Sequence, residues 1–201
     1  MFAIPPITTL TTLALLWLIF LLDYLVLVPR GVKRLSFSRF VLGKGVGDAP
    51  GAIGSALALR KSKVRRGQLW RLSTAMLNHG GLWHIAANTV GLWVVGSLVE
   101  PHVGSGWFAL ALIVSGTVAA TCNFFVLDSE YSFGFSMAIC GGVGLLTAML
   151  LRDPAFLQSI NWPQRIILLA YVIGGIPTDK YNWVEHSGGF IAGIVLAFLM
   201  I

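Results

Sequence analysis

Apolar residues fall into six runs along this chain, separated by short stretches where glycine, proline and charge collect. Ile7 to Val28 is long enough to cross a bilayer, since about twenty residues at about 1.5 Å each span the hydrocarbon. Leu82–Val99, Trp107–Phe125, Gly134–Leu151, Ile166–Ile176 and Trp183–Ile201 follow, with breakers between them at Pro101 and Gly104, Asp128 and Glu130, Asp153 and Pro154, and Pro177 and Asp179. The pattern predicts an all-α membrane protein of six transmembrane helices. Its fifth span is short, and Arg165 at the head of that span is expected to snorkel to the surface. Residues 1–29 read as the first transmembrane helix, 30–81 as a long basic connection, and 82–201 as five further helices of the same single domain. No basic residue precedes the first run and no small-residue cleavage site follows it, so it reads as a retained helix and not a signal peptide. Asp23 inside this run is expected to hydrogen-bond or ion-pair with the connection just beyond it. That connection is semi-apolar over 37–42 and 52–59, which suggests short helices lying in the membrane interface.

Composition strengthens this picture. The chain is 56% hydrophobic and 11% charged, with a mean hydropathy of +0.81, whereas a soluble domain carries about 25% charge. Its net charge of +6 points toward nucleic acid only until the basic residues are placed. Eleven of the fourteen Lys and Arg lie between Arg30 and Arg71, as in a membrane-surface loop rather than the basic face of a folded domain. The expected partner is therefore the lipid bilayer, with no nucleic acid. Cys122 and Cys140 sit in apolar runs and read as small buried residues, not as a disulfide framework.

Counting crossings gives a geometric expectation. The second, fourth and sixth helices run in the same direction, each starting on the side of the long connection. His84, Asn88, Ser136 and His186 then lie at similar depth, within about 10 Å of one face at helical rise. Ser136 opens a glycine-rich helix in Gly134-Phe-Ser-Met-Ala-Ile-Cys-Gly-Gly-Val-Gly144, and a histidine begins His186-Ser-Gly-Gly-Phe-Ile-Ala-Gly193. Glycines let helix backbones approach closely, so Gly134, Gly141, Gly144, Gly189 and Gly193 are candidates for the packing that joins the two segments. A hydroxyl and an imidazole brought together in this way suit nucleophilic catalysis, with Ser136 attacking and His186 taking its proton. The oxyanion that forms needs fixed donors, for which His84, Asn88 and the Ser136 backbone N–H are the candidates. Other readings of these residues are structural: His186 as a helix-start residue near the interface, and His84 with Asn88 as an interhelical hydrogen bond. Metal binding is disfavoured, because His79 and His84 are five apart, no acid accompanies them, and no third ligand stands nearby in sequence. No cofactor is expected. Glu185 points about 100° away from His186 around the helix and is expected to face the surface.

Three motifs then resemble a known family in order and spacing. His79-Gly-Gly-Leu-Trp-His84-Ile-Ala-Ala-Asn88, Gly134-Phe-Ser136 and His186-Ser-Gly-Gly189-Phe-Ile-Ala-Gly193 are similar to the motifs of the rhomboid intramembrane serine proteases, as are Trp70-Arg71 and Glu100. The resemblance covers roughly residues 67 to 201. It implies a six-helix rhomboid-like bundle with a Ser136–His186 dyad, an oxyanion site from His84, Asn88 and Ser136, and water reaching the dyad from the first-loop side. It also implies transmembrane protein substrates cut near the membrane surface, and a fifth helix that serves as a lateral gate. Two positions depart from the family pattern: Met137 where glycine usually follows the serine, and Cys140 where some members carry an aromatic against the histidine. These departures favour a first alternative, a rhomboid-like pseudoprotease that binds membrane clients without cutting them. A small transporter or channel subunit using the same polar pocket is a second alternative, and the lack of an acid in the middle of the later spans argues against it. The first-loop side carries twelve basic residues against Arg152 and Arg165 on the other, which places it in the cytosol by the positive-inside rule. The resemblance implies the reverse, with the site opening to the non-cytosolic side, and that is the orientation expected here. Glycine faces of this kind serve packing within one chain or between chains.

Overall fold

A computed structural model of the chain describes residues 6–23, 52–174 and 180–200. Inside hydrocarbon no water is present to satisfy backbone N–H and C=O groups, so the apolar runs have to fold as helices. In chain order the helices are α1 (Ile7–Leu21), α2 (Ala52–Leu57), α3 (Lys61–Val64), α4 (Arg71–Thr74), α5 (Leu82–Val103), α6 (Ser105–Val126), α7 (Ser136–Arg152), α8 (Trp162–Gly174) and α9 (Lys180–Met200). Leu82–Val103, Ser105–Val126 and Trp183–Met200 are long and apolar enough to cross a membrane, and α1 and α7 are shorter apolar helices. The molecule is thus a helical membrane bundle. The end of the first apolar run at Val28, the semi-apolar 37–42 segment and the end of the fifth run at Ile176 lie outside the described residues.

α7 packs against α5, α6 and α9, and α9 also lies along α6. Met137, Ala138, Ile139, Leu145 and Leu146 of α7 are all buried, whereas Ile191, Val195, Phe198 and Leu199 of α9 remain open to the lipid side. The reason α7 and α9 come so close is that glycine faces glycine. A Cβ on Gly193 would overlap the Gly141 carbonyl, one on Gly189 the Met137 carbonyl oxygen, and one on Gly144 the Phe190 carbonyl oxygen. Main chain therefore meets main chain along this seam.

Several helix boundaries differ from the apolar pattern, and three of them have a local reason. α5 does not stop at Val99 but runs through Pro101 to Val103. Pro101 lacks the N–H that would bond the Ser97 carbonyl, yet the helix continues past it. The helix ends instead at Gly104, which takes φ +84° and returns its N–H to Glu100 O at 2.9 Å. α7 begins at Ser136 and not at Gly134. Gly134 has φ +134°, outside the range of a helix, and forms the bend that leads into it. α8 starts at Trp162, so Arg165 lies within its first turn. Its guanidinium folds back onto Ile160 O and Leu157 O at 2.8 and 2.6 Å, bonding the carbonyls of the turn before the helix.

The long connection is held by polar groups. Arg71 is buried and donates to Ser55 O, Ala58 O and Gln68 Oε1 at 2.8 to 2.9 Å. Asp23 accepts from the Ile53 N–H at 2.9 Å, the hydrogen bond to the connection that its position predicts. One feature lies beyond a helix-only pattern: β1 (Leu59–Arg60) pairs antiparallel with β2 (Tyr131–Ser132), joining the connection to the loop before α7. Lys61 donates from Nζ to Leu127 O, and Ser62 from its N–H and hydroxyl to Glu130. Burial works to raise the Glu130 carboxyl, but the Ser62 donors and the Arg60 and Arg65 charges outweigh it and hold the group below its ordinary value.

Glu100 ties α1 to the bundle. Its carboxylate is 1% exposed and accepts from Thr8 N, Thr9 N, Thr9 Oγ1 and Ser105 Oγ at 2.7 to 2.9 Å. Glu100→Ala leaves these donors unpaired in a buried place, with an expected cost of about 3 kcal/mol. Thermal unfolding in detergent should show a clear drop in midpoint, and an unchanged midpoint would mean that α1 is held by packing alone.

Candidate active site

Ser136 stands at the first position of α7, where the leading N–H groups have no acceptor within the helix. The turn that presents it is fixed by Gly134, whose N–H donates to Ala75 O at 3.2 Å. His186, on the second turn of α9, faces it across the glycine seam, with Nε2 3.0 Å from Ser136 Oγ. Both residues are half-buried. The two groups are fifty positions apart in sequence, and the distance between them is set by the backbone contact of Gly141 and Gly144 with Gly189, Phe190 and Gly193.

His84 approaches from α5. A Cβ on Gly134 would stand 2.7 and 2.8 Å from His84 Cε1 and Nε2 and 3.6 Å from Ser136 Oγ, so the imidazole edge and the serine hydroxyl both border the bare glycine. Any larger residue at 134 would meet that ring and would also be strained at this φ. Asn88 lies one turn further along the same face and is 2% exposed. Its Oδ1 lies 3.2 Å from the Tyr171 hydroxyl of α8, while its Nδ2 is buried with no hydrogen-bond partner among the described residues. His79 is buried and meets the His84 ring edge-on, centroids 5.1 Å apart. Among the described residues no group of three His, Cys, Asp or Glu side chains is placed to hold a metal ion.

Glu185 corrects the sequence reading. It does not face the surface: it is 7% exposed and accepts from the Asn123 amide of α6. The 100° rotation away from His186 was sound, but α9 packs on α6 as well as on α7, so that direction still points into protein. Of the two departures from the family pattern, Met137 is 1% exposed within the hydrophobic core and Cys140 is buried one turn below the serine. Tyr171 is a polar contact that the sequence reading passed over. A lone tyrosine in a short apolar span was its only signal.

Comparison with known proteins places this arrangement. The sequence matches the Rhomboid domain over residues 66–201. It is 34% identical over 141 residues to "Rhomboid protease GluP" of Bacillus subtilis, covering 70% of this chain and 28% of that protein. It is 29% identical over 182 residues to "RHOMBOID-like protein 7" of Arabidopsis thaliana, covering 84% of this chain and 55% of the relative. "Putative rhomboid protease YdcA" of Bacillus subtilis is 27% identical over 140 residues, covering 69% of this chain and 70% of the relative. The chain thus spans 28% and 55% of the lengths of the first two relatives. A domain match across most of the chain, over the segment that carries all three motifs, establishes that this integral membrane protein belongs to the rhomboid family.

Proposed function

We propose that the protein is an intramembrane serine endopeptidase that cuts transmembrane protein substrates by acyl transfer. The observation that carries this reading is the 3.0 Å approach of His186 Nε2 to Ser136 Oγ. With its proton on Nδ1, a neutral His186 offers Nε2 as the acceptor for the serine proton. Ser136 Oγ then bonds to the scissile carbonyl carbon, and the proton on the imidazolium passes to the leaving amine as the C–N bond breaks. Water, deprotonated by the same imidazole, cleaves the acyl-serine ester and restores both residues.

Charge on the carbonyl oxygen is met by the Ser136 backbone N–H at the positive end of α7, by the His84 ring and by the Asn88 amide. An Nδ2 with no partner among the described residues suits this role, because it can donate when the oxyanion forms. Asn88→Ala should therefore slow cutting by about 10² in kcat. An unchanged rate would remove the amide from the site. The substrate bond has to come out of its helix to reach the serine, which favours cleavage near the membrane surface from which α5, α7 and α9 all begin.

The test is a fluorophosphonate probe applied to the detergent-solubilised protein, together with cleavage of a helical test substrate in bilayers. Labelling at Ser136 and a single cut are expected. If the wild type takes no label and cuts nothing while still retaining helical clients, the pseudoprotease reading replaces this one.

A further inference from the structure

A carboxamide has two ends of nearly the same shape, and only hydrogen bonding decides which way it faces. For Asn88 the choice matters, because an N–H₂ end stabilises a developing oxyanion and a C=O end repels it. Tyr171 supplies a means of choosing. Its hydroxyl lies 3.2 Å from Asn88 Oδ1 and 2.9 Å from Ala87 O, two acceptors on the same turn of α5. The ring fits there because residue 91 is glycine: a Cβ at Gly91 would overlap Cζ and Oη of the tyrosine. Its counterpart is the buried Nδ2 at the other end of the amide, which has no hydrogen-bond partner among the described residues.

We propose that Tyr171 is a positioning residue: by sharing its one hydroxyl proton between Ala87 O and Oδ1 it holds the Asn88 carboxamide with Nδ2 turned to the Ser136–His186 site. This rests on the protease reading given above. Because the tyrosine belongs to α8 and the amide to α5, the oxyanion donor is correctly oriented only while these two helices are seated together.

Tyr171→Phe removes the donor and keeps the ring. In bilayers it should lower kcat about tenfold with KM near the wild-type value, the worth of one orienting hydrogen bond. In an Asn88→Ala background the same substitution should change nothing further. Protein carrying ¹³C,¹⁵N-asparagine should show the Asn88 side-chain signals move in Tyr171→Phe, with the thermal midpoint held. Gly91→Ala, which pushes the ring off α5 from the other side, should move the same signals. Asn88 signals that stay in place in both variants, or an equal fall in kcat with and without Asn88, would overturn the inference. A wild type that cuts nothing removes the protease reading, whereas the Asn88 signals decide on their own whether the tyrosine holds the amide.

Discussion

Replacing Ser136 with alanine is expected to reduce substrate cleavage to background, a loss on the order of 10⁴ to 10⁶ in kcat, with the fold intact. The reason is that Ser136 Oγ lies 3.0 Å from His186 Nε2, within reach of the imidazole that would take its proton. His186→Ala should fall nearly as far, and the double variant no further, because the two groups act as one unit. Fluorophosphonate labelling should vanish with Ser136→Ala. Labelling that survives would show that another nucleophile carries the reaction.

Gly193→Leu is expected to have an effect almost as large by a different route. Any side chain at this position collides with the Gly141 carbonyl, which is backbone and cannot swing aside. α7 and α9 have to separate, at an expected cost of about 3 kcal/mol. Separation also breaks the Ser136–His186 contact, so cleavage should drop by about 10² or more even in the fraction that remains folded. Val195→Leu, on the lipid-facing side of the same helix where Val195 is 56% exposed, provides the control and should be neutral. Thermal unfolding in detergent and cleavage in bilayers read both effects. Wild-type cutting by Gly193→Leu would mean that the glycine seam does not set the distance between the two groups.

Much of this geometry was legible in the chain because its determinants are local. Lipid forces apolar runs into helices, glycines mark where backbones touch, and crossing parity is why His84, Asn88, Ser136 and His186 are expected toward one face. What escaped depends on which helix stands opposite. Glu185 meets Asn123, sixty-two positions away, and nothing around either residue announces the other. Tyr171 and Asn88 are eighty-three positions apart and pair only because Gly91 leaves room. The two-residue ladder of Leu59–Arg60 with Tyr131–Ser132 is too short to show a period of two. Pro101 misled because a proline removes one helix hydrogen bond and can bend a helix without ending it.

The ladder between the connection and the loop ahead of α7 carries one more meaning. Lys61 and Ser62 grip Leu127 and Glu130, and Ala75 holds Gly134, so the stretch of chain leading to Ser136 is moored at both ends to residues 59–75. Exposed Leu69 and Trp70 lie on that same anchorage. A load borne on that outer surface is therefore expected to be felt at the turn before Ser136 through these tethers rather than through the spanning helices.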